Sequence, residues 1–462
     1  MAIQIKSAWH KATAWVRPTA ERDSARADVL RLALPATGEQ MLSMLVGIVD
    51  TFLVGHLGAE SLAAVGLAYQ WVFLANTLFG SIATGSTALI ARFIGARDPG
   101  LANRVLRQSV LIGAGIGLIS SVLAFTLAKP AVTLLGARGV VIGLSAAYLR
   151  IVACSLFLAT LMFIGNACLR GSGDTRTPFY IMMVVNALNI AVAVVAINGL
   201  FGVPKMGVVG SALGAATAQS VGGLLVMAVL IKGRGQLRLR LAGLRPDPDL
   251  IRRILRVGLP TGVEQLLFRI GNMGYARVLA SLGVEAYAAN QVAINAWSLS
   301  FMPGFGFAVA ATTLVGQALG AKQPDVAEQR GYTAYRVGAS LMSCIGLLFV
   351  LFPAQIMGFF TNDPEVIRLG TLPLRMMGLV QPIFAASMIF AGGLRGAGDT
   401  RYPMIITGAS IWLIRLPLAY VLAVGLNWGL TGGWAAMSLD LIMRGVFNFL
   451  RFRSGGWKNI TV

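Results

Sequence analysis

Long apolar runs alternate with short stretches rich in Gly, Pro, Arg and Asp along almost the whole chain. The runs predict twelve helices, over 31–55, 61–93, 106–128, 140–168, 178–199, 206–232, 251–281, 286–319, 331–357, 366–392, 403–425 and 430–451. Each is long enough to cross ~30 Å of hydrocarbon at ~1.5 Å of rise per residue. The expected fold class is therefore all-α, a polytopic membrane protein.

The pattern repeats. Leu-Arg-Gly-Ser-Gly-Asp-Thr-Arg-Thr-Pro at 169–178 returns as Leu-Arg-Gly-Ala-Gly-Asp-Thr-Arg-Tyr-Pro at 394–403, an offset of 225 residues. Leu34-Pro35 and Glu39-Gln40 answer Leu259-Pro260 and Glu264-Gln265 at the same offset, and Gly95-Ala96-Arg97 answers Gly320-Ala321-Lys322. Each copy holds six spans. Six is an even number, so the second copy is not inverted, and the two lobes are expected to be parallel repeats about a pseudo-two-fold axis along the membrane normal. The expected organisation is a tail at 1–30, a six-helix lobe at 31–232, a linker at 233–250, a second six-helix lobe at 251–452 and a tail at 453–462. The first tail, basic and carrying Trp9 and Trp15, either lies on the membrane surface or is disordered.

Composition agrees: 56% of residues are hydrophobic and 12% charged, against roughly 25% charged in soluble domains. A net charge of +20 invites a nucleic-acid reading. The distribution argues against it, because the basic residues sit in short loops between apolar runs. Nearly all of these fall on the side of the tails and central linker, while the opposite loops hold Lys129, Arg138, Lys205 and Arg368. That bias places both termini and the linker in the cytoplasm and the protein in the plasma membrane. The first tail lacks an apolar core, so no cleavable signal is expected. Cys154, Cys168 and Cys344 show no metal spacing and read as packing residues. With His10 and His56 the only histidines, no catalytic constellation is in view.

Three features together resemble the multidrug and toxic compound extrusion (MATE) family: Gly-Ile-Val-Asp-Thr-Phe-Leu-Val-Gly-His-Leu-Gly at 47–58, the paired Arg-Gly-x-Gly-Asp-Thr-Arg motifs, and Phe-Met-Pro-Gly-Phe-Gly-Phe at 301–307. The resemblance spans nearly all of the chain after the tail. It implies two six-helix lobes around a central cleft, and export of organic, cationic or amphipathic compounds against entry of H⁺ or Na⁺ by alternating access. It implies no cofactor, and small-molecule and membrane-lipid partners for a monomer. A lipid-linked precursor flippase of related architecture and a non-transporting receptor or scaffold are the alternatives. The flippases usually carry more helices and a basic cleft. A receptor leaves the duplication and the buried acids without a role.

Charges within a bilayer are costly and mark function by default. Asp50 leads, since its repeat partner is Tyr275 and the duplication itself requires no acid there. Burial penalises its charged form, so it can take a proton from one side and release it after rearrangement. The resemblance implies a cation or proton site at Asp50, with Asn186 and Asn189 on the fifth helix and Thr217 on the sixth. Many members carry another Asp one turn after the second Asn. Here Ala193 stands instead, which favours H⁺ over Na⁺ because Na⁺ wants several oxygen ligands. Glu39 and Glu264, one turn after Pro35 and Pro260, are expected to bond around the proline breaks or line the cleft. Asp440 and Arg444 are spaced i, i+4 and can pair. With Arg415 and Glu264 they would form a neutral network or gate in the second lobe. Arg269 is a further intramembrane charge. Tyr69, Gln70, Phe268, Asn295 and Met302 are candidates for the cleft wall. The Gly-x-Gly-Asp-Thr-Arg loops read as turns whose Asp and Thr cap the next helix and whose Arg meets lipid headgroups.

Overall fold

A computed structural model describes residues 19–202, 204–240 and 245–460. Twelve long helices dominate: α1 Thr19–Gly55, α2 Ala59–Gly95, α3 Pro99–Thr126, α4 Val140–Ser172, α5 Arg176–Asn198, α6 Val208–Lys232, α7 Pro248–Ala280, α8 Val284–Gly320, α9 Pro324–Leu351, α10 Pro364–Ala397, α11 Arg401–Gly425 and α12 Gly429–Ser454. Ten of them are long and apolar enough to cross a membrane. The other two, α7 and α12, match them in length but carry Glu264, Arg269 and Arg277, and Asp440 and Arg444. Helix α1 starts at Thr19, inside the expected tail, and the tail's Trp9 and Trp15 lie outside the described residues.

Helices α3 and α9 begin earlier than hydropathy predicts. Their first turns are polar, but Pro99 and Pro324 suit the first helical positions, and Asp98 accepts from the Leu101 amide at 2.9 Å. Two short helices, Ala128–Leu134 and Pro353–Phe360, are separate elements rather than the ends of the preceding spans.

The repeat is carried into the backbone. Adding 225 to the bounds of α2 and α3 gives those of α8 and α9. The turns correspond too. Gly58 and Gly283 have φ of 103° and 107°, and Arg97 and Lys322 have φ of 56° and 58°. Side-chain ties repeat as well: Thr87 donates to the Ala167 carbonyl at 2.9 Å, and its equivalent Thr312 donates to Gly392 at 2.8 Å.

The lobes meet through α1 against α8 and α2 against both α7 and α8. Glycines permit the approach. A Cβ on Gly95 would stand 1.9 Å from the Gln317 carbonyl oxygen, and one on Gly320 would stand 1.9 Å from that of Arg92. Arg92 and Gln317 are themselves repeat equivalents, so these two contacts form one reciprocal pair about the pseudo-two-fold axis. Gly258 over Ser81 and Gly306 over Ala33 are a second such pair. These contacts lie toward the end rich in basic loops. Toward the opposite end, Ile48 and Phe52 of α1, Phe73 of α2 and Ile270 and Met273 of α7 are exposed.

Helix α11 departs from its counterpart α5, which is regular throughout. Two π-helical stretches interrupt α11, at Ser410–Arg415 and Tyr420–Gly425, on either side of Pro417. Wide turns of this kind change which face a residue occupies.

Candidate functional site

Asp50 lies on α1 facing the interior of the first lobe and is 2% exposed. Neither carboxylate oxygen has a hydrogen-bond partner among the described residues. The Asn189 side chain on α5 stands beside it, short of a full hydrogen bond, and the phenols of Tyr69 on α2 and Tyr148 on α4 are within electrostatic reach. Asn186 and Asn189 are both buried, and both have an unpartnered amide oxygen. The Asn186 amide nitrogen donates to the Met182 carbonyl one turn back at 2.8 Å. Three of the four residues expected here are thus buried polar groups of one lobe. The fourth, Thr217, is exposed, and its hydroxyl bonds the Leu213 carbonyl of its own helix. It makes no hydrogen bond to Asp50. Sequence reasoning missed Tyr148, which no periodicity distinguishes from an ordinary core aromatic.

The equivalent region of the second lobe has the opposite character. Tyr275 occupies the position of Asp50 and is buried. The Arg415 guanidinium lies over its ring at 5.6 Å. Asp440 receives Arg415 at 2.5 Å, Arg444 at 2.6 Å and the Ser410 hydroxyl. Arg415 also donates to the Asn272 amide oxygen at 2.8 Å. Ser410 and Arg415 bound the first π stretch of α11, so the wide turns bring both onto the face of α12 that carries Asp440. One acid between two guanidinia leaves a formal excess of one positive charge.

The network expected in the second lobe is corrected on one member. Glu264 is not part of it: it pairs with Arg395 at 2.8 Å and accepts from the Thr407 hydroxyl at 3.0 Å. Its equivalent Glu39 pairs with Arg170 at 2.6 Å. Both acids are buried, so each lobe has one ion pair between its first helix and the end of its fourth. The first arginine of each Arg-Gly-x-Gly-Asp-Thr-Arg motif therefore serves this pair. The second ones, Arg176 and Arg401, for which headgroup contact is expected, are exposed. Asp174 accepts from the Arg176 and Thr177 amides and caps α5, whereas Thr175 and Thr400 make no side-chain cap. Burial pushes the Asp174 carboxyl up, but Thr177 and the Arg234 guanidinium outweigh this and hold it below the ordinary value.

The remaining candidates are scattered. Arg269 of α7 donates to Gln70 of α2 at 3.0 Å and covers Phe73 at 4.2 Å, tying the lobes together. Tyr69 and Asn295 are exposed, Met302 is half-buried, and Phe268 lies under Arg444 at 5.7 Å. An aromatic wall does form, but around Trp297. Its ring meets Phe301 and Phe384 at 5.2 Å and Trp434 at 6.4 Å. The spacing Trp297, Phe301, Phe305 on α8 was the available clue. Of the cysteines, Cys168 is buried, whereas Cys154 and Cys344 are exposed and do not pack inside the bundle. No group of three His, Cys, Asp or Glu able to hold a metal occurs among the described residues.

The MatE family model matches residues 35–195 and 260–421, one match per lobe. A probable multidrug resistance protein NorM of Thermotoga maritima is 35% identical over 448 residues, covering 96% of each chain. One of the same description from Burkholderia mallei is 30% identical, covering 94% of this chain and 95% of its own. Among solved structures, a MATE transporter in complex with MaD5 superposes with a TM-score of 0.86 at 25% identity, over 93% of this chain and 96% of that one. An outward-facing multidrug resistance MATE transporter of the MOP superfamily gives 0.87 at 25% identity, over 93% and 95%. Bundle, repeat and comparisons agree that the chain belongs to the MATE family and is a multidrug efflux transporter, not an enzyme.

Proposed function

We propose that this transporter is an antiporter that exports organic, cationic or amphipathic compounds in exchange for H⁺, by alternating access. Its site of exchange is Asp50, with Asn186 and Asn189 beside it. The observation that carries this is the bare carboxylate: Asp50 is 2% exposed, with neither oxygen hydrogen-bonded among the described residues. An ionised carboxylate so placed costs several kcal/mol in an apolar setting. A proton removes that cost, so loading and unloading of Asp50 can favour different arrangements of the lobe. Thr217 enters this site only by rotating its hydroxyl away from Leu213. Glu39 and Glu264 are occupied by Arg170 and Arg395 and serve as positional ties. The basic-loop bias supports a plasma-membrane orientation with the termini and linker in the cytoplasm and the exposed opposite ends facing outward, and the proposed working unit is a monomer.

One observation favours Na⁺ as a second reading. The unpartnered amide oxygens of Asn186 and Asn189 are neutral hard ligands suited to a small cation. Proteoliposomes separate the two. Ethidium transport driven by an imposed proton gradient without Na⁺ is expected for wild type and lost at least ~10-fold in Asp50→Asn, which corresponds to ~1.4 kcal/mol. The variant's thermal midpoint should change little, since only the near contact with Asn189 is altered. Transport that requires Na⁺ at a fixed proton gradient sinks the H⁺ reading. Full proton-driven transport in Asp50→Asn sinks the site.

A further inference from the structure

The linker between the lobes does not hang free. It is fastened to the start of α3 by that helix's side chains. The Asn103 amide oxygen accepts from the Arg238 backbone amide at 2.6 Å, and its nitrogen donates to the Gln236 carbonyl at 3.3 Å. Gln108 does the same a turn and more further on: it donates to the Arg245 carbonyl at 2.9 Å and accepts from the Asp247 amide at 3.1 Å. Leu237 and Leu239 are buried under the linker, and Arg234 and Leu237 pair as a small antiparallel bridge. Backbone and apolar groups hold the segment, Arg234 is taken by Asp174 at 3.1 Å, and Arg238, Arg240 and Arg245 turn to the surface of the segment.

These three, with Arg104 and Arg107 of α3, line two adjoining cavities. One, of about 340 Å³, is bounded by Gly100, Asn103, Arg107, Arg238 and Arg240. The other, of about 330 Å³, is bounded by Arg104, Arg107, Gln108, Arg245, Asp247 and the prolines beside it. Arg107 faces both. Among the described residues the only acid in either lining is Asp247, and Arg104 already takes it at 2.8 Å. Arg107, Arg238 and Arg240 therefore share a concave space with no counter-charge among the described residues of its lining. A bias of basic residues in loops is expected from topology alone. Topology does not require a pinned segment, a cavity, or like charges gathered at its walls.

We propose that the Arg107–Arg238–Arg240 cavity binds a phosphate-bearing anion. Guanidinium forks match phosphate oxygens in geometry, and convergent forks around one concavity favour a compact multivalent anion over a chloride ion. The site lies where α3 enters its apolar stretch, the depth of lipid headgroups, so the phosphodiester of an anionic phospholipid is the occupant that fits location as well as charge. A soluble phosphate shares the chemistry. The bound anion would join α3 of the first lobe to the segment leading into α7 of the second. This holds whichever ion drives transport.

The full chain in neutral detergent tests this by its unfolding midpoint, followed by tryptophan fluorescence. Short-chain phosphatidylglycerol is expected to raise the midpoint saturably, by several degrees, where phosphatidylcholine does not. Glycerol 1-phosphate and inorganic phosphate form the second arm. A comparable shift from either assigns the site to a soluble phosphate, and a shift from the lipid alone assigns it to the headgroup. In Arg107→Gln/Arg238→Gln/Arg240→Gln the apparent affinity should fall at least tenfold. If the triple variant does not fold, Arg240→Gln alone, with bound phosphatidylglycerol counted by native mass spectrometry, gives the same comparison. An unaltered response in the folded variant, or no response of wild type to any of the anions, overturns the proposal.

Discussion

Asp50 and Asp440 carry the same functional group at nearly complete burial, 2% and 0% exposed, in opposite settings. Among the described residues Asp50 has no hydrogen-bond partner, whereas Asp440 has two guanidinia and a hydroxyl. Replacing Asp440 with Asn keeps the shape and leaves Arg415 and Arg444 buried without their anion. Removal of one partner from a buried ion pair costs about 3–5 kcal/mol. Asp440→Asn is therefore expected to lower the unfolding midpoint markedly. Adding Arg415→Met should recover part of the loss, because one of the stranded charges then goes too. A midpoint that does not move in Asp440→Asn would show that the triad does not hold the second lobe together. Both acids were legible in the sequence, since a charge within an apolar run stands out. Their partners were less so. Depth along a helix follows from counting residues, but the side a neighbour presents does not. Glu264 therefore went by depth to the Asp440 network when its partner was Arg395.

At the scale of elements, the sequence located all twelve long helices: ten are hydrophobic runs of a length that has one interpretation in a bilayer, and the charged α7 and α12 follow as repeat equivalents of α1 and α6. Helix starts at Pro99 and Pro324 were hidden, because polar first turns look like loops to a hydropathy argument. The π stretches of α11 were not legible at all, since Ser410–Arg415 differs from an α-helix by packing and hydrogen-bond choice rather than by composition. Interlobe glycines were legible only as abundance. The structure separates the two kinds. Gly320 sits where a Cβ would meet the Arg92 carbonyl at 1.9 Å, while Gly47 has nothing within 4 Å. Gly320→Ala must push α8 off α2, and backbone cannot yield as a flexible side chain does. Its expected cost is ~1–3 kcal/mol. Gly47→Ala lies inside α1 with free space and should stabilise by ~0.5–1 kcal/mol. Unfolding midpoints that move in opposite directions check the assignment. A neutral Gly320→Ala would mean the α2–α8 contact is looser than the structure has it.

The whole molecule is two similar lobes joined by reciprocal contacts near one end, with Arg269 on Gln70 and Phe73 a further tie toward the other. Gly95 against Gln317 and Gly320 against Arg92 stand there. The chain's end adds a strap across the same region. Trp457 is fully buried and stacks on Phe452 at 4.6 Å, Lys458 holds Asp325 and Glu328, and the Ile460 carbonyl accepts from Arg92 of the other lobe at 3.0 Å. At the other end the first and second helices of each lobe expose apolar side chains such as Phe52 and Met273. Rigid lobes joined in this way have one easy motion, a rocking that opens one end as it closes the other. Two pairs of repeat-equivalent exposed sites report on it: Ala96 with Ala321 at the joined end, and Glu60 with Glu285 at the other. Spin labels on cysteines at these sites require Cys154 and Cys344 to be replaced first, since both are exposed. If transport proceeds by alternating access, substrate at low external proton concentration should lengthen the 96–321 distance and shorten 60–285 together. Asp50→Asn, which imitates the proton-loaded carboxylate, should hold one of the two distance populations regardless of pH. A change in one pair without the other would replace rocking with a local gate. Unchanged distances in both pairs under every loading would exclude a lobe motion as the transport step.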